Sequence, residues 1–522
     1  MRVLVTGATG FIGRALLLRL ARDRHRVTAL VRDPVRARRR LGPDVELVAA
    51  GDGAALATAM AEADAVVNLA GEPIADRRWT AARRRALRAS RVGVTAALAA
   101  AAAARPRPLP VLISGSAVGI YGDRGDEVLD ERAAPGAGFA AELCADWEAA
   151  AARVPAARTV LLRTGIVLGA EGGVLARLAP LARARVAGRL GSGRQWMSWI
   201  HLADLVELIV VALGDARWRG PVNAVAPTPV DNATLTRAVA TALGGAAPLP
   251  APAVALRAVL GARAELLLAS QRCAPAAALA RGFRFAFTTL ASAVADLAAG
   301  AAAVRIARVD ATTPLPAAPY LATRRPRYVL ETRTELAAPL AEVFPFFAEA
   351  ANLELLTPPA LGFEILTPRP IAMAPGTVID YGLRVAGVPL RWRTVIEAWQ
   401  PGQGFVDAQH RGPYRSWWHE HRFVADGDRT VMIDRVLYAP PLGPLGALAH
   451  RLVVRPMLTR IFGFRRHAIA LRFGGADRAP APATAAATAP ALAAAGASRG
   501  TSGHDGDLAV ALPALEGGQG RG

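Results

Sequence analysis

At 522 residues the chain is longer than one hydrophobic core usually organises, so two or three domains are expected. Its formal net charge of +20 is carried by arginine alone, because the chain contains no lysine. The basic clusters Arg36 to Arg40 and Arg83 to Arg85 fall on predicted helical surfaces without interleaved aromatics, which reads as solvated faces and argues against nucleic acid as a partner.

No apolar window is long enough for a membrane span, and the N-terminus opens on a strand pattern with no secretory leader, so a cytoplasmic protein is expected. Cys144 and Cys273 are far apart and form no CxxC, which points to reduced, partly buried thiols with neither a zinc site nor a disulfide framework.

From Met1 to about Leu213, apolar strand runs alternate with amphipathic helical stretches. Strands are predicted at Arg2 to Thr6, Arg26 to Val31, Val45 to Val48, Ala65 to Leu69, Val111 to Ser114 and Thr159 to Arg163. Such βα repetition implies an α/β fold, a doubly wound parallel Rossmann sheet whose ligand lies beyond the carboxyl ends of the strands. The predicted division is a nucleotide-binding domain over 1–219 and a more helical, Pro-punctuated substrate-side lobe over 220–300. A Pro-rich linker over 301–326 follows.

The first strand runs into Gly7-Ala8-Thr9-Gly10-Phe11-Ile12-Gly13, which opens a helix. Gly7 permits the tight turn, Gly10 lets backbone approach a pyrophosphate, Gly13 lets helix pack on strand, and the helix N-terminus favours the phosphate charge. The turn residues Gly7, Thr9, Gly10, Phe11, Ile12 and Gly13 are therefore candidate dinucleotide contacts. Arg32 ends the second strand where an acidic residue would bind an unmodified ribose, and its guanidinium suits a 2′-phosphate. NADP(H) is the expected cofactor; the alternative is that Arg32 points to solvent and Asp33 meets the ribose.

Several segments then carry a resemblance. GATGFIG, NLAGEPI (Asn68 to Ile74), SRVGVT (Ser90 to Thr95), SAVGIYG (Ser116 to Gly122), RTGIVLG (Arg163 to Gly169) and GSGRQWMSWIHLADL (Gly191 to Leu205) stand in the order of the atypical, epimerase-like branch of the extended short-chain dehydrogenase/reductase family. SQRCAPAAALARGFRF (Ser270 to Phe285) resembles that branch's C-terminal extension. Over residues 1–300 the resemblance implies a Rossmann domain with a small lobe and bound NADP(H), with Asp52 near the adenine and Leu69, Ala70 and Gly71 along the cofactor.

In most of the wider family a Ser, a Tyr and a Lys form a proton relay. Ser116 matches the Ser, with Ser114 its nearest competitor, but Phe139 and Leu143 stand at the Tyr and Lys positions, and no lysine exists to shift into place. Arginine is a poor substitute, being always protonated. Tyr121 is the leading replacement, provided a nearby positive charge lowers its pKa; Glu142, Cys144 and His201 follow, although His201 also reads as part of a structural turn with Asp204 capping the next helix. Two functions remain open: an NADP(H)-dependent reductase or epimerase-like enzyme, and a non-catalytic NADP(H)-binding sensor or scaffold.

After the linker the pattern alternates as antiparallel strands do, at Tyr328 to Glu335, Thr377 to Val385, Leu390 to Trp399, Tyr414 to Val424 and Thr430 to Ala439, closed by a helix from about Leu448 to Phe473. Together with Asn352-Leu353-Glu354-Leu355-Leu356-Thr357-Pro358-Pro359, residues 327–475 resemble a START-like helix-grip (polyketide cyclase/lipid-transport-like) domain. That resemblance implies a cavity for an apolar or lipid-like small molecule, with Phe346, Phe347, Leu383, Trp392, Trp399 and Phe423 as candidate lining. His419 and His421 share a strand face, but no carboxylate or Cys follows at a metal-binding spacing, so a mixed polar and aromatic sheet face is expected, with no metal. Residues 476–522, rich in Ala, Pro, Gly, Ser and Thr, are expected to be disordered.

Overall fold

The computed structural model describes residues 1–170, 172–385 and 387–475. The expected disordered tail lies outside them.

The first half is an α/β sandwich. β1 (Arg2–Thr6), α1 (Phe11–Arg22), β2 (Arg26–Val31), α2 (Pro34–Leu41), β3 (Glu46–Ala49), α3 (Gly53–Glu62) and β4 (Ala65–Asn68) build one wing of the sheet. α4 (Ala81–Arg88), α5 (Val94–Ala103), β5 (Val111–Ala117), α6 (Phe139–Ala152), β6 (Thr159–Thr164), α7 (Leu202–Gly214) and β7 (Gly220–Ala224) build the other. The strand order is β7-β6-β5-β4-β1-β2-β3, all parallel, so the order reverses between β1 and β4. Alternate residues of β1 serve opposite layers: Val3 and Val5 pack with α1 and α7, Leu4 with α3 and α5.

The expected boundary at 219 cuts this sheet. Gly220–Ala224 is its seventh strand, paired with β6. Pro221 disguises it in sequence, and an edge position is where a sheet tolerates proline.

In the second half, β8 (Arg305–Arg308), β9 (Tyr328–Leu336), α9 (Leu340–Ala348, preceded by α8, Leu290–Ala302), β10 (Glu364–Ile365), β11 (Val378–Val385), β12 (Val388–Gln400), β13 (Gly404–Arg411), β14 (Ser416–Asp426), β15 (Arg429–Ala439) and α10 (Arg455–Phe473) follow in turn. The eight strands form one antiparallel sheet, ordered β8-β9-β15-β14-β13-β12-β11-β10. α10 packs on it through Leu458 and Phe462 at one end and Ala468, Ile469 and Phe473 at the other. The segment expected as a linker is partly ordered structure. β8 pairs with β9, and Tyr320 and Leu321 are buried, Tyr320 donating its hydroxyl hydrogen to the Gln409 carbonyl (2.7 Å). Its proline content masked two bulky residues that anchor it.

The two halves share α1. Leu16, Leu17 and Leu20 enter the Rossmann core, whereas Leu18 enters the second half's core with Phe346 and Phe473. Arg14 donates to the carbonyls of Glu354 (3.3 Å) and Leu355 (3.2 Å), and Arg39 pairs with Glu364 (2.7 Å). Part of the arginine excess therefore joins the halves. Among the described residues, no helix is long and apolar enough to cross a membrane.

Both cysteines are free and buried, and burial pushes the Cys144 thiol up to about 11 and the Cys273 thiol to about 12. The native chain is expected to resist a thiol-titrating reagent at neutral pH and to release two equivalents on denaturation. Rapid labelling of the folded protein contradicts this.

Candidate functional site

At the carboxyl ends of β1, β2 and β4 the backbone is packed too closely for any side chain on two of the glycines. Gly7 has φ +68°, and a Cβ there would lie 2.4 Å from the Leu69 carbonyl oxygen; one on Gly13 would lie 2.3 Å from the Gly7 oxygen. Gly10 starts α1 in an extended conformation with no side-chain cap, so the amides of the first turn meet no side chain at the helix's positive end. Thr6 fixes the facing loop: its hydroxyl donates to Asn68 Oδ1 (2.7 Å) and accepts from the Ala70 amide (3.0 Å), which holds Leu69, Ala70 and Gly71 against the turn. Thr9, Phe11 and Ile12 are half-buried around it.

Arg32 follows β2 with its side chain 86% exposed, its nearest charge being Glu72 at 3.5 Å. Asp33, the alternative ribose ligand, uses Oδ1 to cap α2 by accepting from the Arg36 amide (2.9 Å). Asp52 caps α3 in the same way (Ala55 amide, 2.9 Å). This cradle fits a dinucleotide diphosphate, and Arg32 fits an added phosphate.

The relay positions do not resemble a relay. Phe139 opens α6 and Leu143 lies one turn on, both buried with Trp79 and Leu87 in an apolar cluster; the Phe139 and Trp79 rings meet edge to face at 4.9 Å. Ser116 is buried and its hydroxyl donates to Glu148 Oε1 (2.7 Å). Glu148 in turn receives two parallel bonds from Arg163, each 2.9 Å. Ser114 is fully buried within β5.

Tyr121 sits deeper than the sequence reading placed it. It is wholly buried, accepts from Arg163 (3.0 Å), and shares its one proton between Asn223 Oδ1 (2.7 Å) and the Asp130 carbonyl (3.1 Å). The expected positive charge is present, yet burial outweighs it and pushes the hydroxyl up to about 12. A phenol so bonded and so weakly acidic holds a structural post, not that of a proton donor. His201 is likewise structural: its Nδ1 caps α7 by accepting from the Ala203 amide (3.2 Å), its Nε2 lies 3.3 Å from Asp296, and its ring packs at a tilt against Phe287. Asp204, expected as the cap, instead accepts from the amides of Ala286 and Phe287 and pins the C-terminal lobe. Glu142 is exposed beside Arg88, and Cys144 is a buried thiol.

Residues 3–223 match the NAD dependent epimerase/dehydratase family, and residues 251–297 match a domain of unknown function, DUF1731. The epimerase family protein Mb2239 of Mycobacterium bovis is 42% identical over 295 residues, which is 56% of this chain and 96% of that protein. The chain belongs to the epimerase family. Human epimerase family protein SDR39U1 is 36% identical over 310 residues, 57% of this chain and all of that protein. Its crystal structure with NADPH superimposes with a TM-score of 0.52 at 35% identity, covering 57% of this chain and 99% of that one.

Sequence reading missed Glu148 and Arg91 in this epimerase-family half. Glu148 sits in an Ala-rich helix and its partners come from β5 and β6, so no local spacing marks it. Arg91, in the SRVGVT segment, donates to the Glu72 carbonyl (3.0 Å) and lies over the Trp147 ring at 5.4 Å. It passes so close to Gly71 that a Cβ there would sit 2.9 Å from its guanidinium carbon. The second half holds a mainly apolar cavity of about 410 Å³. Phe346, Phe347, Leu383 and Trp392 line it as expected, whereas Trp399 and Phe423 belong to the neighbouring core.

Proposed function

We propose that the chain binds NADP(H) and is an oxidoreductase of the short-chain dehydrogenase/reductase type acting on a small carbonyl compound, its START-like second half holding an apolar ligand. The single observation that carries this reading is the cradle of Gly7, Gly10 and Gly13 at the uncapped N-terminus of α1, with Arg32 exposed at the end of the next strand. The NADPH in the human relative supports the same choice.

In this reading Gly7, Thr9, Gly10, Phe11, Ile12 and Gly13 hold the diphosphate, Arg32 the 2′-phosphate, Asp52 the adenosine side, and Leu69, Ala70 and Gly71 the length of the cofactor. When bound, the nicotinamide supplies or accepts the hydride. Ser116, its own proton committed to Glu148, uses its free lone pairs to accept from a water whose other hydrogen reaches the carbonyl oxygen. With Tyr121 and His201 engaged elsewhere, water delivers the proton, and turnover lacks the ~10² to 10⁴ that a positioned acid contributes. The apolar surroundings of Phe139 and Leu143 favour a second reading, a non-catalytic NADP(H) sensor.

Side-by-side titration with NADPH and NADH tests the cofactor assignment. NADPH is expected to bind at least ~10-fold tighter, and Arg32→Ala to erase the difference, as loss of a charge-assisted phosphate contact of about 1.5–3 kcal/mol requires. Equal wild-type affinities defeat the Arg32 assignment. Slow NADPH oxidation with a carbonyl panel, reduced by Ser116→Ala, favours the enzyme; none at all favours the sensor.

A further inference from the structure

The antiparallel sheet brings together a side-chain ring that no single strand reveals. His419 and His421 project from β14, Asp407 from β13 and Asp434 from β15, the strands on either side. Each imidazole lies between the two carboxylates. His421 Nδ1 is 2.8 Å and His419 Nε2 is 3.2 Å from Asp434 Oδ1; His421 Nε2 is 3.0 Å and His419 Nδ1 is 3.4 Å from Asp407 Oδ2.

Hydrogen-bond inventory gives these contacts a direction. A neutral imidazole has one N–H, and Asp434 is placed to accept it from both rings. His421 Nδ1 also has Arg465 Nη2 at 3.4 Å, and His421 Nε2 meets Asp407 at 3.0 Å; an ion bound at Nε2 would displace the proton from that side and leave it on Nδ1, 2.8 Å from Asp434 Oδ1. Arg465 lies 3.8 Å from Asp434 Oδ2 and offsets its charge. Asp434 thereby fixes both tautomers, as a carboxylate behind a metal-bound histidine does. The lone pairs of His421 Nε2 and His419 Nδ1 then converge with Asp407 Oδ2, and these three ligand atoms lie within 4.8 Å of one another. Three acceptors converging on one point are held together either by a shared proton or by a metal ion.

We propose that Asp407, His419 and His421 form a binding site for a divalent transition ion of the zinc(II) or iron(II) class. Tetrahedral bonds of roughly 2.0–2.2 Å put ligand atoms about 3.3 Å apart, which matches the two contacts to Asp407. Two imidazoles and one carboxylate suit these ions better than calcium or magnesium, which take oxygen ligands. All three residues line the apolar cavity, so the ion's open positions face whatever the cavity holds, ready to accept an oxygen of an otherwise apolar ligand. The inference is independent of nucleotide binding in the first half.

The test uses the full chain, stripped with a chelator and titrated with zinc(II) by calorimetry and cobalt(II) by visible absorption. One equivalent is expected, with cobalt d–d bands typical of low coordination. Asp407→Asn and His419→Gln are each expected to weaken binding by more than about 100-fold, and Asp434→Asn, acting through ligand orientation, by roughly 10–100-fold. Far-UV circular dichroism reports whether each variant folds. Wild-type chain that binds zinc(II) no tighter than millimolar overturns the proposal whatever the variants do, because a proton then fills the ring. Folded Asp407→Asn protein that binds as tightly as wild type overturns it as well.

Discussion

Arg163→Met is expected to destabilise the folded chain by about 3–5 kcal/mol, because it removes one partner of a buried ion pair and leaves the other charged. The Arg163 and Glu148 side chains are only 8% and 12% exposed, so water does little to compensate Glu148. The loss spreads, since Arg163 also donates to the Tyr121 hydroxyl and the Glu131 carbonyl, joining β6 to the segment after β5. The double variant Arg163→Met/Glu148→Gln is expected to recover most of the loss, as burying a neutral amide costs less than burying an unpaired carboxylate. Arg217→Met, which breaks an exposed pair with Asp215, is the surface control and should change little. Urea denaturation of the four proteins measures this. Equal midpoints for the Arg163 and Arg217 variants would show that the Ser116–Glu148–Arg163 chain is not a strut of the fold.

The same chain explains what was legible in the sequence. β1, β2, β4, β5 and β6 are continuous apolar runs because a parallel sheet buries both faces, and their periodicity is local. The glycine turn is legible for a similar reason: its requirements lie within seven consecutive residues. Sites assembled across strands leave no such trace. Glu148 acquires a role only where α6 meets β5 and β6. Tyr121 closes a promising segment, yet its burial is decided by Asn223, about a hundred positions away.

One omission shaped the reading of the second half. Gly404–Arg411 was not predicted as a strand, because Asp407, Gln409 and His410 break its apolar alternation. Asp407 is polar there because it faces His419 and His421, so missing the strand removed the carboxylate that makes the histidine pair chemically interesting. The alternating pattern after residue 327 anticipated the sheet and its closing helix in outline. It did not indicate that α1 of the nucleotide-binding half carries Leu18 into the second core.

That shared helix makes the glycine turn the place where a minimal change should have the largest functional effect. Gly7→Ala adds one methyl group at φ +68°, a conformation costing an alanine about 1–2 kcal/mol, and drives it against the Leu69 carbonyl, 2.4 Å from the ideal Cβ. The carbonyl cannot swing away cheaply, because Thr6 bonds both Asn68 and the Ala70 amide. Relief therefore separates the turn from the Leu69–Gly71 loop, the two surfaces between which NADPH is proposed to lie. NADPH affinity is expected to fall by at least ~100-fold, close to 3 kcal/mol, with a smaller loss of stability. Gly214→Ala, where a Cβ meets nothing within 4 Å, should alter neither quantity. If Gly7→Ala binds NADPH as wild type does, the dinucleotide does not lie between these loops. If instead its affinity falls while zinc uptake in the second half is unchanged, the two sites work independently despite the helix that joins them.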